Sequence, residues 1–271
     1  MIRLRTQIAL YMKLFYRKTG TGNPVLFLHG LFGSADNWLT IARGLKDSGQ
    51  LYLLDMRNHG RSPHSKIFNY EAMVEDIYEF LADLNLRQVS LVGHSMGGVT
   101  AMKFALNYPH RVDRLVVIDI APRPYPLHHQ EIITSLSAIN LHQLQNRQQV
   151  DDQLSRSLQH PPLRQFLLKN LYRTTAGKYS WRLNLPVIAS NLAALGEGIQ
   201  PEQQSFGRPC LFIRGALSDY VRTADEPAIK KLFPQAEIMT VENTTHWLPA
   251  ENPAAVVAAL QSFLNQNKSL H

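Results

Sequence analysis

Apolar positions follow two spacings along the first half of the chain. Val25 to Leu28, Leu51 to Leu54, Val89 to Val92 and Leu115 to Ile120 are short, nearly continuous apolar runs. That is the pattern of strands buried on both faces. Helical spacing fills the gaps: Asn37 to Leu45, then Tyr70 to Leu84, where Met73, Ile77, Phe80, Leu81 and Leu84 fall on one stripe. Gly98 to Leu106 reads as a further helix, with Pro109 just beyond its end. Lys13 to Arg17 reads as a leading strand and Gly20 to Asn23 as a turn. Strands alternating with helices predict a parallel sheet covered on both faces.

The alternation stops at Pro122 and resumes after Gln204. The intervening segment shows no strand pattern and is predicted helical, at Glu131 to Ile139 and at Leu163 to Leu171 behind Pro161-Pro162. Strands return at Pro209 to Ile213 and Ala236 to Val241, and helices at Ala224 to Phe233 and Pro253 to Leu264. The predicted organisation is an α/β core of residues 1–121 and 206–271, interrupted by a helical cap of residues 122–205.

Composition narrows the setting. Of 271 residues 45 % are hydrophobic, enough for a sizeable core. The net charge of +7 is spread along the chain without a basic run, so nucleic acid is not an expected partner. The single cysteine, Cys210, allows no intrachain disulfide and sits in an apolar run. A buried structural thiol and a reducing, cytoplasmic setting are expected. The apolar stretch Ile8 to Met12 is too short for a secretory core or a membrane span. The first dozen residues are expected to be a leading strand or a loose extension.

Chemistry concentrates just after the apolar runs. Gly93-His94-Ser95-Met96-Gly97 follows one strand and opens a helix. A tight strand-to-helix turn needs glycine two positions either side, lifts the serine hydroxyl clear and sets it at a helix N-terminus. Ser95 is the candidate nucleophile. A serine hydroxyl needs a base with a pKa near neutrality. His246, after the last strand, is the candidate. His29-Gly30-Leu31-Phe32-Gly33 follows an earlier strand, so the N–H groups of Leu31 and Met96 are candidate oxyanion donors. The acid that orients the histidine is either Asp119 or Asp219; each follows a strand, and position does not separate them. Asp55 precedes the serine, and Asp55 and Arg57 are expected to hold their own loop by polar contacts. His128-His129 lacks a third ligand, and no metal is expected. Phe32, Phe166 and Trp181 are candidate substrate contacts. Arg147, Arg156, Arg164, Lys169, Arg173, Lys178 and Arg182 in the insert suit an anionic carrier such as coenzyme A or, more plainly, a solvated surface.

Four segments together carry a family resemblance: His29 to Trp38, Asp55 to Ser62, Gly93 to Gly98 and Val117 to Pro122, with Trp181 to Asn184 in the insert. They resemble the YbfF-type bacterial esterases, α/β-hydrolases similar to the mitochondrial ABHD11-like group. The resemblance implies a sheet of about eight strands, a helical cap, and hydrolysis of small-molecule esters or acyl thioesters without a cofactor. It favours Asp119 as the acid, because the YbfF group places its acid after that strand. Many other α/β-hydrolases place it after the next, which keeps Asp219 open. The rival readings are a carbon–carbon lyase or hydrolase on the same triad, as in the menaquinone pathway, and a non-catalytic binding module.

Overall fold

A computed structural model describes residues 12–126, 129–199 and 204–266 of the chain. Nine strands are present among them: β1 (Tyr16–Thr19), β2 (Pro24–Leu28), β3 (Gln50–Leu54), β4 (Val89–His94), β5 (Val112–Ile118), β6 (Leu171–Arg173), β7 (Tyr179–Trp181), β8 (Cys210–Gly215) and β9 (Ala236–Val241). The helices are α1 (Leu39–Gly44), α2 (Tyr70–Asp83), α3 (Met96–Asn107), α4 (Gln130–Ser137), α5 (Arg147–Leu154), α6 (Pro161–Leu168), α7 (Leu185–Gly196), α8 (Glu226–Leu232), α9 (Leu248–Glu251) and α10 (Pro253–Asn265).

Seven strands form one sheet in the order β1-β3-β2-β4-β5-β8-β9. Only β1 runs antiparallel, against β3; the other neighbours are parallel. About eight strands were expected, and seven lie in this sheet among the described residues. The leading strand begins at Tyr16, three residues later than its apolar pattern suggests. The reading of the first dozen residues falls almost wholly outside the described part of the chain.

Strand side chains alternate between faces, and the two cores divide accordingly. Leu26, Leu28, Leu115 and Val117 join one buried cluster, while Val25, Phe27, Val116 and Ile118 join the other. The first cluster includes Met73 and Ile77 of α2 and Val99 of α3; the second includes Ile41 of α1 and Leu260 of α10. Both faces of the sheet are therefore covered, which is why its central strands read as unbroken apolar runs.

The segment between β5 and β8 carries α4 to α7. Ile132, Leu136, Val150 and Leu167 from it belong to the same cluster as the sheet face beneath. The expectation that this segment holds no strand is corrected: β6 and β7 pair antiparallel as a small hairpin. Each has only three residues, half-buried or exposed, so neither produces an apolar run. Among the described residues no helix is long and apolar enough to cross a membrane.

The parallel strands end along one edge of the sheet, and the loops leaving that edge carry every candidate catalytic residue. One of these loops is braced from inside. Asp55 accepts from the N–H groups of Ala35 (2.6 Å) and Arg61 (2.7 Å). Arg57 meets Asp76 of α2 through two bonds, at 2.6 and 2.7 Å, both side chains being about 5 % exposed. Removing the anion leaves a guanidinium buried and unpaired. Asp76→Ala is expected to lower unfolding stability by about 3–5 kcal/mol, measured by urea denaturation. A loss below about 1 kcal/mol would show the pair to be unimportant.

Candidate active site

Ser95 sits between β4 and α3 with φ 52° and ψ −120°, a conformation that side-chain-bearing residues avoid. Packing enforces it. A Cβ on Gly93 would lie 2.3 Å from the Gly97 carbonyl oxygen, and a Cβ on Gly97 would lie 2.3 Å from that of Leu28. The Ser95 N–H is anchored to the Ile118 carbonyl at 3.1 Å. The turn is thus clamped between β2 and β5.

His246 Nε2 lies 3.0 Å from Ser95 Oγ, and its Nδ1 lies 2.9 Å from Asp119 Oδ2. These partners assign the proton to Nδ1 and leave Nε2 free to accept from the serine hydroxyl. Asp119 is fully buried and itself lies at positive φ, 49°. Its Oδ1 accepts from the Gly215 N–H at 3.0 Å, and its Oδ2 accepts a short bond from the Ser218 hydroxyl. The buried carboxylate thus has an N–H, an O–H and an imidazole nitrogen as partners. Asp219 is exposed, and the bond recorded for it runs from Arg123 to its backbone carbonyl at 2.8 Å. Of the two candidate acids, the geometry brings Asp119 to the imidazole and leaves Asp219 off it.

The imidazole is held on its other sides as well. The Tyr220 ring stacks on it with centroids 3.7 Å apart. His94 Nε2 donates to the His246 carbonyl at 2.9 Å, which pins the loop that carries the base.

The loop after β2 is fixed in the same manner. Phe32, at φ 62°, donates its N–H to His59 Nε2 at 3.2 Å, and its carbonyl accepts from Asn170 Nδ2 at 2.7 Å. Asn170 belongs to the insert and is buried. His29 Nε2 accepts from the Met56 N–H at 2.9 Å. Among the described residues, no hydrogen bond engages the N–H of Leu31 or of Met96. Both residues line space beside Ser95.

The larger space, bordered by Leu31, is a cavity of about 430 Å³ with His29, Phe32, Ser95 and His246 in its wall. From the insert it takes His129, His160, Phe166 and Lys169. Phe32 and Phe166 thus line the cavity. Trp181 does not: it lies on β7, packed half-buried against the core and away from the cavity. Trp247, whose ring is 4.7 Å from that of Phe166, lines the wall instead. Of the seven cations singled out in the insert, Lys169 alone lines the cavity; Arg164 is tied to Asp151 at 2.8 Å and Arg173 to the Gln145 carbonyl at 3.0 Å. Among the described residues, no cluster of three metal-binding side chains occurs; His128 lies outside them.

Residues 23–253 match the family described as the alpha/beta hydrolase fold. The chain belongs to that family. It is 40 % identical to the sn-1-specific diacylglycerol lipase ABHD11 of Mus musculus, over 89 % of this chain and 80 % of that protein. Identity to esterase YbfF of Escherichia coli is 35 %, over 90 % of this chain and 93 % of that protein. The solved structure of a marine microorganism esterase superposes with a TM-score of 0.91 at 42 % identity, covering 93 % of this chain and 99 % of that one.

Sequence reasoning singled out Ser95, His246, Leu31 and Met96 from their motifs. It did not find the supporting roles of His59, His94, Asn170, Ser218 and Tyr220. Those histidines stand in the very motifs that were read, but only the fold shows what their rings face. Asn170 carries no motif at all.

Three buried histidines share one electrostatic property. Burial is the main cause that lowers His29 from 6.5 to about 4, and His59 and His94 from 6.5 to about 3. All three are neutral at pH 7, as the accepting Nε2 of His29 and of His59 requires. The unfolded chain binds these protons near pH 6.5 and the folded chain does not, so stability rises with pH across that window. The contribution is complete above about pH 6.5 and is lost as pH falls towards 3. Urea midpoints are expected to drop steeply between pH 6.5 and 4.5, with close to three protons taken up on unfolding near pH 5; a flat profile would contradict the burial.

Proposed function

We infer that this chain is a serine ester hydrolase that forms an acyl-enzyme on Ser95. The observation that carries the reading is the unbroken line of bonds Ser95–His246–Asp119, at 3.0 and 2.9 Å, ending in the wall of a cavity. The esterase and lipase names of its relatives point the same way.

Ser95 Oγ attacks the acyl carbonyl while His246 Nε2 takes its proton. The carbonyl oxygen becomes an oxyanion, held by the N–H groups of Leu31 and Met96 and favoured by the N-terminus of α3. Asp119 stabilises the imidazolium without taking its proton. His246 then delivers the proton to the leaving oxygen, and the ester bond breaks. Water enters, gives a proton to His246 and attacks the acyl-enzyme; the bond to Ser95 Oγ breaks as His246 returns that proton to it, and the acid departs. Only ester and water are consumed. A thioester fits the same steps, with a thiol in place of the alcohol. The proposed substrate is therefore a small-molecule carboxylic ester or thioester. A reducing, cytoplasmic setting is part of the proposal, supported by a buried free thiol at Cys210.

The test is hydrolysis of p-nitrophenyl acetate, with fluorophosphonate labelling of the same preparation. Ser95→Ala is expected to abolish labelling and to leave turnover at background. Folded wild type that neither labels nor hydrolyses would overturn the assignment. Asp119→Asn is expected to lower kcat by about 10⁴, because the imidazole loses its tautomer and its counter-charge. Asp219→Asn, on a side chain with no place in the line of bonds, is expected to lower it by less than about three-fold. The reverse order would move the acid to the loop after β8.

A further inference from the structure

Two separate hollows meet at Ser95. One is the cavity of about 430 Å³ described above; the other, about 50 Å³, also borders the serine. Leu31, Ser95 and His129 border both. The division has a chemical meaning, because the carbon bonded to Ser95 Oγ carries three further substituents. One is the oxyanion, one the leaving oxygen and one the acyl chain. The leaving oxygen must lie against His246, since that imidazole returns its proton. His246, with Trp247, Pro249, Ala250 and Glu251, lines the large cavity. The small hollow is walled by Met96, Tyr125 and Tyr220 and does not include His246. Tyr220, stacked on His246 at 3.7 Å and on Tyr125 at 5.2 Å, forms the partition.

We propose that the acyl chain enters the small hollow and the alcohol or thiol portion fills the large cavity, so that the substrate class is esters of short, unsubstituted acids with bulky leaving groups. The proposal rests on the serine-hydrolase reading above and adds the direction in which the ester lies.

The size of the hollow sets the limit. One water needs about 10–15 Å³ by the same kind of measure, so roughly 50 Å³ holds only a few heavy atoms, an acetyl to butyryl chain. Its chemistry sets the kind of chain. Val99, Ile120, Leu192 and Leu195 give apolar surface. Two of the three tyrosine hydroxyls in the wall are bonded within the protein: Tyr70 donates to the Leu195 carbonyl at 3.0 Å, and Tyr125 is bonded to the Tyr220 carbonyl and the Ala121 N–H at 2.5 and 2.7 Å. These bonds use the hydroxyl protons of Tyr70 and Tyr125, and among the described residues no lysine or arginine lines the hollow to receive a second carboxylate.

The same bonds resist expansion. Tyr125 N–H is tied to the Gly196 carbonyl at 2.8 Å, and a Cβ on Gly198 would lie 2.4 Å from the backbone of Arg123. The wall from α7 is therefore pressed against the loop after β5. By contrast the large cavity combines Trp38, Phe166 and Trp247 with Gln165, Lys169 and Glu251. That suits a leaving group with an apolar body and a polar far end.

Two matched ester series test the direction. In the first, p-nitrophenyl esters of two to twelve acyl carbons vary the acid on a fixed leaving group. In the second, acetates of two- to ten-carbon alcohols vary the alcohol on a fixed acid, followed by pH-stat. The kcat/KM of the first series is expected to peak at two to four carbons and to fall at least about ten-fold by eight. Over the same lengths the second series is expected to hold or rise. Leu195→Ala, which opens the small hollow from a half-buried position, is expected to raise the eight-carbon to two-carbon acyl ratio about ten-fold, with no matching shift in the alcohol series. If that variant does not fold, Leu192→Ala is read in its place.

A preference for long acids with short alcohols, in a protein whose Ser95 still labels with fluorophosphonate, would overturn the direction and leave the hydrolase reading intact. An acyl profile that neither variant shifts would also overturn it. Loss of both hydrolysis and labelling in folded wild type would overturn the two together.

Discussion

The structure turns on the near-contact of three backbones at the serine turn. Gly93, Gly97 and the end of β2 approach so closely that no Cβ fits between them. This contact sets the angle at which α3 leaves the sheet, and with it the positive φ of Ser95. Strain of this kind costs about 1–3 kcal/mol and persists only where the surroundings over-determine it. Here they do. The strand behind is fully buried, the helix in front packs on β5, and the Ser95 N–H is spent on Ile118. Ser95 is therefore held by packing, and its hydroxyl is left for the imidazole.

A second layer of constraint comes from neutral histidines. A protonated imidazole offers only donors, so His59 can accept from Phe32, and His29 from Met56, only while uncharged. Burial keeps them so. The loop after β2 is thus positioned by groups whose protonation state is set by desolvation. Asn170 adds a bond from the insert to that same loop. The insert accordingly does two things with one set of contacts: it closes the cavity over Ser95, and it holds the Phe32 carbonyl from above. Changes in its packing would reach the loop after β2 directly, without passing through the sheet.

Much of this was legible in the sequence because the chemistry needs local spacing. A glycine-flanked serine between a strand and a helix has few other uses, and a histidine after the last strand has a place waiting for it. The sheet was legible because strands buried on both faces must be apolar throughout. What failed was information that spacing does not carry. The hairpin β6–β7 is too short and too polar to announce itself. Trp181 looked like a pocket residue because it is large and aromatic, yet those properties serve equally to pack β7 against the core. Asn170 reaches a partner 138 positions away. No local pattern encodes such a contact.

The choice of acid was undecidable for a deeper reason. β5 and β8 are neighbours in the sheet, and both end beside His246, so a carboxylate after either strand could reach the imidazole. What separates them is how the remaining carboxylate lone pairs are satisfied. Asp119, buried, draws on the loop after β8 for the Gly215 N–H and the Ser218 hydroxyl. That loop is committed as a donor to the acid. An acid on the loop itself would need its own donors and would leave Asp119 charged, buried and competing for the same imidazole. Two carboxylates cannot share one imidazole proton cheaply in a low dielectric. The exposure of Asp219 follows from this: once the loop serves Asp119, its own carboxylate is better left in water.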